Sequence, residues 1–369
     1  MQFVSKSVEP PFRDGSKCLV RDLCLHLRDF EPHVLSSLPA VAQLGSASVA
    51  HRVYAGAGSY RPAFAENLRA AAFLATVSRA ELWHFVFAPN KLSSSVGRAL
   101  RKWRRIPCLQ TIASPPLSFS EAPKLLFGDV VVAQSAWTKS QFERALGPVQ
   151  AMRIEEIPPP APLVSSVSCE RQLAARRALG VSEGVPLFLY PGDLEVSEGA
   201  QLVAKWAPSM REQLPTAQVV LAYRNKTPQA AVRAEQLRRL ADPALLSVAA
   251  DVQDIHALVA TATAVLFPVD NLYGKVDLPI VLLEAMRLGT PVLALNQGPL
   301  GSLKGATLLS GEARDWLAAA QKVATDPAHQ ASRAAAGRQA VAQFYDPQIV
   351  AARYEELYRE LLGSAGASP

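Results

Sequence analysis

The chain has 369 residues, of which 49% are hydrophobic and 19% are charged, and its formal net charge is +6. This composition excludes a wholly disordered chain, and the mild basic excess permits, without requiring, an anionic substrate or an anionic membrane surface. At about 150 residues per domain, the length predicts two domains.

Short apolar runs, many rich in β-branched residues, recur along the whole chain with helical patterns between them. Strands that alternate with helices of about 10–15 residues indicate parallel sheets covered on both faces. A single sheet of about a dozen strands would be unusually large, so two sheets are predicted. The predicted strands span residues 3–8, 33–38, 51–56, 82–87, 108–113 and 130–135 in the first half, and 187–192, 218–223, 245–250, 264–269 and 291–296 in the second.

A proline-rich stretch separates the two halves. Residues 157–166, IPPPAPLVSS, cannot continue a helix and are typical of a linker. Near the end of the chain, residues 347–362 place apolar side chains on one stripe, which predicts a final helix. The predicted boundaries are an N-terminal domain at 1–157, a linker at 158–166, a C-terminal domain at 167–345, and a helix with its tail at 346–369.

The segment KVDLPIVLLEAMRLGTPVLA, residues 275–294, places one carboxylate inside a nearly continuous apolar run. Pro279 suits the first turn of a helix with Asp277 as its cap, and Gly289 is a natural stop before the next strand. The helix is apolar on almost every side, so it is predicted to be largely buried. Burying an unpaired charge costs on the order of several kcal/mol, so Glu284 needs a partner.

Two partners for Glu284 are open. An i,i+3 pair with Arg287 on the helix surface would stabilise the helix by about a few tenths of a kcal/mol. A ligand is the other partner, because ligands of doubly wound domains bind outside the carboxyl ends of the strands, near helix N-termini. The helix alone favours the ion pair, and the longer pattern around it favours the ligand.

That longer pattern resembles a known family. Residues 264–300 contain Phe267-Pro268 at the end of a strand, then Leu-Leu-Glu-Ala-Met at 282–286, then Gly289-Thr290-Pro291. In this order they resemble the nucleotide-binding segment of the family 4 retaining glycosyltransferases, which have the GT-B fold. Less specific similarity extends over most of the chain, at residues 9–27, 128–142 and 187–203.

The resemblance implies an α/β protein of the GT-B fold, with two doubly wound Rossmann-like domains facing a cleft and a C-terminal helix packing back toward the N-terminal domain. It implies a nucleotide sugar as donor substrate, no further cofactor and no metal. In the family, the glutamate that matches Glu284 accepts hydrogen bonds from the ribose hydroxyls, which suits an ionised carboxylate facing two donors. The same nucleotide-sugar site would include Gly192, Pro279 and Ile280. Gly15 follows the first predicted strand and would line the cleft in this fold, although a plain flexible loop explains it nearly as well.

The chain departs from the family where cations usually neutralise the diphosphate. Asp193 and Glu198 stand where the family usually has an arginine and a lysine, and two carboxylates would repel a diphosphate. Arg224 and Lys226, which follow a predicted strand, are candidate replacements, and Lys275 is a third. Arg224 and Lys226 are equally well explained as ordinary loop cations.

Two further positions differ from the family pattern. Val276 stands where many members have a second glutamate that acts on the sugar, and the neighbouring Asp277 is either its substitute or only the helix cap. Ala113 stands where many members have a histidine beside the sugar. His84 is the nearest alternative, but a histidine inside a strand is more often a core residue than a catalytic one.

A basic segment at residues 97–107 has two interpretations, a solvated helix face or a surface that lies on anionic lipid. No aromatic stacking motif or overall charge indicates a nucleic-acid partner. The segment gathers five cations around Trp103, namely Arg98, Arg101, Lys102, Arg104 and Arg105.

The sequence carries no sign of export. Its start lacks the apolar core of a signal peptide, and the apolar run at residues 257–269 is too short to cross a bilayer. The four cysteines form no CxxC pair and no zinc-like spacing with histidine. These features predict a cytoplasmic protein whose membrane contact would be peripheral, at the inner face.

The family resemblance implies a retaining glycosyltransferase of the hexosyltransferase type and, by analogy, a saccharide or lipid-linked acceptor in bacterial polysaccharide or glycolipid synthesis. Glu284 would bind the ribose, and Arg224, Lys226, Lys275 and Asp277 would act at the diphosphate and the sugar. The alternative is a GT-B-like sugar-nucleotide epimerase or a non-catalytic subunit that binds nucleotide sugar, because Ala113, Asp193 and Glu198 replace residues that the family commonly uses.

Overall fold

A computed structural model describes residues 1–12, 14–56, 62–148, 152–225, 227–240, 242 and 244–366. The chain packs into two compact units. The first unit comprises Met1–Pro162, Tyr273–Pro279 and Tyr345–Pro369, and the second comprises Leu163–Leu272 and Ile280–Phe344. Residues 273–279 therefore pack with the first unit, although the predicted C-terminal domain spans them.

The first unit is built on a parallel sheet of seven strands within the described residues, in the order β3-β2-β1-β4-β5-β6-β7. Short helical turns at Ala42–Leu44 and Phe119–Glu121 connect some of its elements. The elements are β1 (Gln2–Val4), α1 (Gly15–His26), β2 (His33–Ser36), β3 (Val49–Arg52), α2 (Phe64–Thr76), β4 (Trp83–Phe87), α3 (Lys91–Arg104), β5 (Cys108–Ile112), α4 (Ala122–Leu125), β6 (Val130–Ala133), α5 (Ala136–Leu146) and β7 (Arg153–Glu156).

The second unit is built on a parallel sheet of six strands within the described residues, in the order β10-β9-β8-β11-β12-β13. Gly298–Ser302 forms a short helical turn, and Val341–Tyr345 a turn of π-helix. The elements are α6 (Cys169–Ala178), β8 (Leu187–Pro191), α7 (Gly199–Gln213), β9 (Gln218–Tyr223), α8 (Pro228–Leu240), β10 (Leu246–Ala250), α9 (Ile255–Thr261), β11 (Ala264–Phe267), α10 (Ile280–Leu288), β12 (Val292–Leu295), β13 (Thr307–Leu309), α11 (Ala313–Thr325) and α12 (Pro327–Ala340).

The C-terminal helix, α13 (Pro347–Gly366), packs on the sheet and helices of the first unit, as predicted. Tyr354 and Tyr358 on this helix are fully buried among apolar residues of the N-terminal domain. His84 in β4 bonds Tyr358 Oη at 2.8 Å through Nδ1 and Thr111 Oγ1 at 2.7 Å through Nε2. Burial lowers the pKa of His84 to about 3, so the ring is neutral and serves as a core residue, as the sequence indicates.

Each unit has one point where the strand order reverses. In the first sheet, β1 lies between β2 and β4, and in the second, β8 lies between β9 and β11. In open parallel sheets, ligands bind at such a switch point, outside the carboxyl ends of the two strands that flank it. The loops after β8 and β11 are therefore where the second unit is expected to bind a ligand.

Each predicted strand overlaps an observed one, and the doubly wound fold class is confirmed. The sequence missed two strands, β7 and β13, and both lie at the edge of a sheet. Edge strands need only one paired neighbour and tolerate polar residues, so Arg-Ile-Glu-Glu in β7 and the short Thr-Leu-Leu in β13 lack a long apolar run.

Candidate functional site

Two of the predicted site residues leave the second sheet side by side. Gly192 follows β8 directly and Arg224 follows β9, and in the parallel register Pro191 pairs with Ala222. The amide of Gly192 donates to the carbonyl of Ala222 at 3.1 Å. Arg224, which is half-buried, and Gly192 therefore lie at the same carboxyl edge of the sheet.

The loop from Gly192 to Gly199 approaches the sheet closely at both ends. A Cβ on Gly192 would lie 2.6 Å from the ring of Tyr190, which is fully buried. A Cβ on Gly199 would lie 3.1 Å from the carbonyl oxygen of Pro268, the residue that follows β11. The two glycines therefore let this loop pack over the switch point between β8 and β11.

The carboxylates of this loop keep it negative. Asp193 is half-buried, and Glu198 is exposed immediately before α7. Glu195 Oε1 accepts a hydrogen bond from Thr227 Oγ1 at 2.7 Å. The sequence argument that a diphosphate would need cations from elsewhere therefore still applies. Lys226, the second predicted cation on the loop after β9, lies outside the described residues.

Glu284 lies on α10, which ends where the sequence predicts. Gly289 adopts a positive φ of 84°, and the amides of Gly289 and Thr290 donate to the carbonyls of Met286 and Ala285. This bonding satisfies the last carbonyls of the helix, as expected for a glycine stop. Four apolar residues next to Glu284 on α10 are buried, whereas the side chain of Glu284 stays 16% exposed. The four are Leu282, Leu283, Ala285 and Met286.

The partner of Glu284 is a histidine. His256 Nε2 lies 3.3 Å from Glu284 Oε1, and His256 is 37% exposed. The hydrogen bond to Glu284 raises the pKa of His256 above its ordinary value, against the effect of burial. The surface pair of Glu284 with Arg287, one of the two partners left open by the sequence, is not among the ion pairs of the described residues.

A second ion pair fixes the start of the helix that carries His256. Asp254 caps α9, and its Oδ1 accepts from the Ala257 amide at 3.0 Å. Arg171 on α6 binds the same carboxylate with both arms, Nε to Oδ2 at 2.9 Å and Nη2 to Oδ1 at 3.0 Å. Arg171, Asp254, His256 and Glu284 thus form a continuous series of alternating charges when His256 is protonated.

The predicted residues just before α10 lie in the first unit. Val276 packs on Gly15 at the start of α1, where a Cβ would be 2.5 Å from Val276 Cγ1. Lys275 is half-buried in the same segment, and Pro279 is buried directly before Ile280, where α10 begins. Gly15 therefore allows a close approach, but the group that approaches it is a side chain of residues 273–279.

Asp277 is fully buried in this segment. Its Oδ2 accepts from Ser135 Oγ at 2.7 Å, and Ser135 also caps α5. Burial raises the pKa of Asp277 to about 6, and the hydroxyls of Ser135 and Thr138 only partly offset this rise. The prediction that Asp277 caps α10 is therefore wrong, because its carboxyl group faces the start of α5 instead.

The sequence of the second unit matches a known family. Residues 185–326 match the family Glycosyl transferases group 1. The chain carries a Glycosyl transferases group 1 domain. No curated protein matches the sequence significantly. The group 1 domain contains the loop after β8, His256, Glu284 and both flanking strands, so the site described above lies inside the matched region.

Solved structures share the fold of nearly the whole chain. Alr3699/HepE from Anabaena, in complex with UDP and glucose, has a TM-score of 0.74 at 18% identity, covering 97% of this chain and 99% of that chain. A glycosyltransferase from Rickettsia africae ESF-5 has 0.70 at 15%, covering 98% and 97%. WaaG, a glycosyltransferase involved in lipopolysaccharide biosynthesis, has 0.65 at 14%, covering 95% and 98%. At these identities the likeness shows the fold alone, and it confirms GT-B.

The basic segment forms part of α3, and the structure divides its cations into two groups. Arg98, Arg101 and Arg104 are engaged, because they donate to the carbonyls of Leu126, Phe127 and Ala75 respectively, and Arg101 also pairs with Asp129. Lys102 and Arg105 are exposed, and their side chains make no hydrogen bond or ion pair with the described residues. None of the described helices is long and apolar enough to cross a bilayer.

The residues that the sequence missed are His256 and Arg171. Neither belongs to a motif, and both lie far from Glu284 in the sequence, so only the packing of α6, α9 and α10 brings them together. In the part of the chain that the structure describes, no three His, Cys, Asp or Glu side chains are grouped closely enough to hold a metal ion. The expectation that no metal is needed stays a prediction.

Proposed function

We propose that the protein is a family 4 retaining glycosyltransferase, which moves a sugar from a nucleoside diphosphate sugar to an acceptor hydroxyl. The observation that carries the proposal is Glu284, a half-buried carboxylate on α10 inside the matched group 1 domain. One of its oxygens meets His256, which leaves acceptor capacity on the other for ribose hydroxyls.

The donor is proposed to bind the second unit at the carboxyl edge of its sheet. Gly192 and the start of α10, Pro279 with Ile280, would contact the nucleotide sugar. Gly15 stays a predicted contact, although Val276 packs against it. UDP is the first nucleotide to test, because the Anabaena structures hold UDP with glucose and UDP-glucose. No resident cofactor or metal takes part in this proposal.

Charge stabilisation is proposed to come from cations rather than from a metal. Arg224, at the edge of the sheet beside Gly192, would bind phosphate oxygens with its planar fork, and Lys226 and Lys275 would add point charges. Stabilising the charge that develops on the leaving diphosphate is the largest expected contribution to catalysis. Asp277 stays a predicted sugar contact, although its carboxyl group is fully buried against Ser135.

Retention is proposed to follow from attack on the face that the leaving group vacates. The acceptor oxygen forms the new bond to the sugar carbon as the bond to the diphosphate breaks, and a phosphate oxygen takes the acceptor's proton. This path needs no protein base, which fits a chain with Ala113 where many family members have a histidine.

Two measurements test the donor site and the reaction. Thermal shift with UDP, GDP and ADP should show that one nucleotide stabilises the protein, by about 2.7 kcal/mol at a concentration one hundred times its Kd. A panel of labelled nucleotide sugars with saccharide and lipid acceptors should then show transfer, and NMR of the product should show the anomeric configuration of the donor. If none of the three nucleotides shifts the melting temperature, the proposal is contradicted.

A second candidate function has its own support. Ala113, Asp193 and Glu198 replace three groups that family members commonly use, which favours a sugar-nucleotide epimerase or a subunit that binds nucleotide sugar without turnover. The same panel separates the functions. An epimerase would change the sugar of the free donor without an acceptor, and a binding subunit would be stabilised by nucleotide but release no product.

The acceptor is proposed to be a saccharide or lipid-linked compound of a bacterial surface polysaccharide or glycolipid pathway, reached at the inner face of the membrane. The support is the outer face of α3. Leu92, Val96 and Trp103 are exposed on one stripe of this helix, and Trp103 is 65% exposed. Lys102, in the last turn of α3, and Arg105, just after the helix, are also exposed, so apolar and cationic side chains are both available to an anionic surface.

Vesicle sedimentation tests the membrane contact. Vesicles with phosphatidylglycerol should retain the protein, and vesicles of phosphatidylcholine alone should not. Replacing Lys102 and Arg105 with alanine should weaken binding by about fivefold for each cation, since each contributes about 1 kcal/mol near an anionic surface. Lys322→Ala, on the second unit, is the matched control and should leave binding unchanged. Equal binding to both vesicle types would exclude the electrostatic contact.

A further inference from the structure

His256 faces Glu284 from a neighbouring helix. Its Nε2 is 3.3 Å from Glu284 Oε1, and the pair joins α9 to α10 inside the second unit. His256 is the only cation partner of this carboxylate among the ion pairs of the described residues.

The charged groups around His256 favour its protonated form. Glu284 contacts His256 directly, and the negative charge of Asp254, the cap of the same helix, also favours the charged ring. Arg171 on α6 opposes protonation, but its guanidinium is committed to Asp254 through two hydrogen bonds. Arg176, a second arginine on α6, contacts the opposite end of α9, where it donates to the carbonyl of Thr261 at 3.0 Å. Its charge therefore does not face His256.

A carboxylate on a helix has several rotamers, and ordering it on ligand binding opposes affinity. A histidine that already holds Oε1 removes part of this entropic penalty before the ligand arrives. A hydrogen bond from an imidazolium to a carboxylate is stronger than one from a neutral imidazole, so the restraint is tighter when His256 is charged. Among the described residues no donor contacts Oε2, so Oε2 and a second lone pair of Oε1 stay open to a ligand.

We propose that His256 is a positioning residue for Glu284, and that protonated His256 holds the carboxylate in the orientation that accepts the ribose hydroxyls of the nucleotide. This inference rests on the proposed function, since it assigns a role within the same nucleotide site. It adds a dependence on proton concentration: affinity for the nucleotide rises as the pH falls through the titration of His256.

The test compares wild type with His256→Gln, which keeps a neutral donor but cannot be charged. Kd is measured by calorimetry at pH 6 and pH 8, with whichever of UDP, GDP and ADP stabilises the wild type and with its 2′,3′-dideoxy form. The ligand's phosphates titrate in this range too, so the quantity of interest is the ratio of Kd values between the two proteins at each pH. His329→Gln, in the first turn of another Asp-capped helix of the second unit, is the matched control.

We expect His256→Gln to bind the ribonucleotide about threefold to fivefold more weakly than wild type at pH 6 and with nearly equal affinity at pH 8. The dideoxy nucleotide should show no such difference, because it offers no hydroxyl to Glu284. A ratio that does not change with pH, or an equal loss with the dideoxy form, would overturn the inference and leave the proposed function intact.

An NMR titration separates the two proposals further. The His256 ring should titrate at higher pH in the wild type than in Glu284→Gln, with no nucleotide present, because the carboxylate stabilises the imidazolium. Equal titration in both proteins would overturn the positioning role. If no nucleotide binds the wild type at all, the proposed function fails and the inference fails with it.

Discussion

Asp277 and Glu284 are neighbours in the sequence but lie in different compact units with different surroundings. Asp277 belongs to the segment that packs with the first unit and is fully buried, with the Ser135 hydroxyl donating to it. Glu284 belongs to the second unit, stays partly exposed, and meets His256. The structure therefore gives one of these carboxyl groups only neutral donors, and gives the other a group that can be charged.

The difference shows what each carboxyl group can do. A buried acid with neutral partners favours its protonated form, since desolvation disfavours the charge more than two hydroxyls stabilise it. A partly exposed carboxylate with an imidazolium partner keeps open lone pairs for a ligand. The segment from Lys275 to Pro279 thus serves to hold the chain against the first unit. In contrast, Glu284 on α10 offers a hydrogen-bond acceptor to a ligand.

The largest expected effect is on the Kd for nucleotide, which should change when Glu284 is replaced and not when Asp277 is replaced. Glu284→Ala removes an ionised acceptor for two ribose hydroxyls and should raise the Kd for the bound nucleotide by about a thousandfold. Asp277→Asn should keep that Kd, because its predicted contact is to the sugar and not to the nucleotide. Calorimetry with the free nucleoside diphosphate measures both.

Glu284→Gln is the intermediate case in this comparison. It keeps one carbonyl acceptor of similar size and loses the charge, so its Kd should fall between those of wild type and Glu284→Ala. Loss of binding in Asp277→Asn with retention in Glu284→Ala would reverse the assignment of the two groups.

The next effect concerns stability and Asp277 alone. Its pKa is about 6 in the folded protein and near 3.8 ordinarily, so between these values the unfolded chain releases the proton while the folded chain keeps it. The stability contributed by Asp277 is therefore complete below pH 3.8 and is lost as the pH rises to about 6. Relative to Asp277→Asn, wild type should lose about 3 kcal/mol across that window and remain constant above it.

Urea denaturation of both proteins at several pH values measures this difference, and other titrating groups cancel in the comparison. Asparagine still accepts from Ser135 and carries no charge to desolvate, so Asp277→Asn should be the more stable protein at pH 7.5. A variant that is less stable at pH 7.5, or a difference that does not vary with pH, would show that burial does not raise the pKa of Asp277.

Much of the fold follows from patterns that the sequence displays directly. Buried parallel strands need long apolar runs, and the eleven predicted runs each overlap a strand. Gly289 as a helix stop follows from its freedom to adopt positive φ. Two of the four edge strands, β7 and β13, escaped prediction, because their sequences contain no comparable apolar run.

The site was predictable only where a local rule governs it. Glu284 stands out because an apolar helix rarely carries a lone carboxylate. Its partner His256 did not stand out, because contacts between helices of a doubly wound unit depend on packing angles that no short motif encodes. The cap predicted at Asp277 failed for the same reason. The sequence rule expects Asp277 to bind the start of the next helix, α10. In the structure its carboxyl group instead accepts from Ser135, the cap of α5.

The smallest expected effect is on stability, and it tests the contact between Gly15 and Val276. Gly15→Ala would place a Cβ 2.5 Å from Val276 Cγ1, and relieving that overlap should cost about 1–3 kcal/mol of unfolding free energy. Val276→Ala removes the two methyl groups, so the double variant should be more stable than the sum of the single effects by about 1 kcal/mol. Urea denaturation of the three variants gives this coupling.

Gly311→Ala is the matched control, because open space surrounds that glycine and its backbone is not in the left-handed region. Its stability should stay within about 0.5 kcal/mol of wild type. Additive effects of Gly15→Ala and Val276→Ala would mean that Val276 does not occupy the surface of Gly15 in solution. Segment 273–279 would then lack its anchor on α1, and the contrast between Asp277 and Glu284 would rest on Ser135 alone.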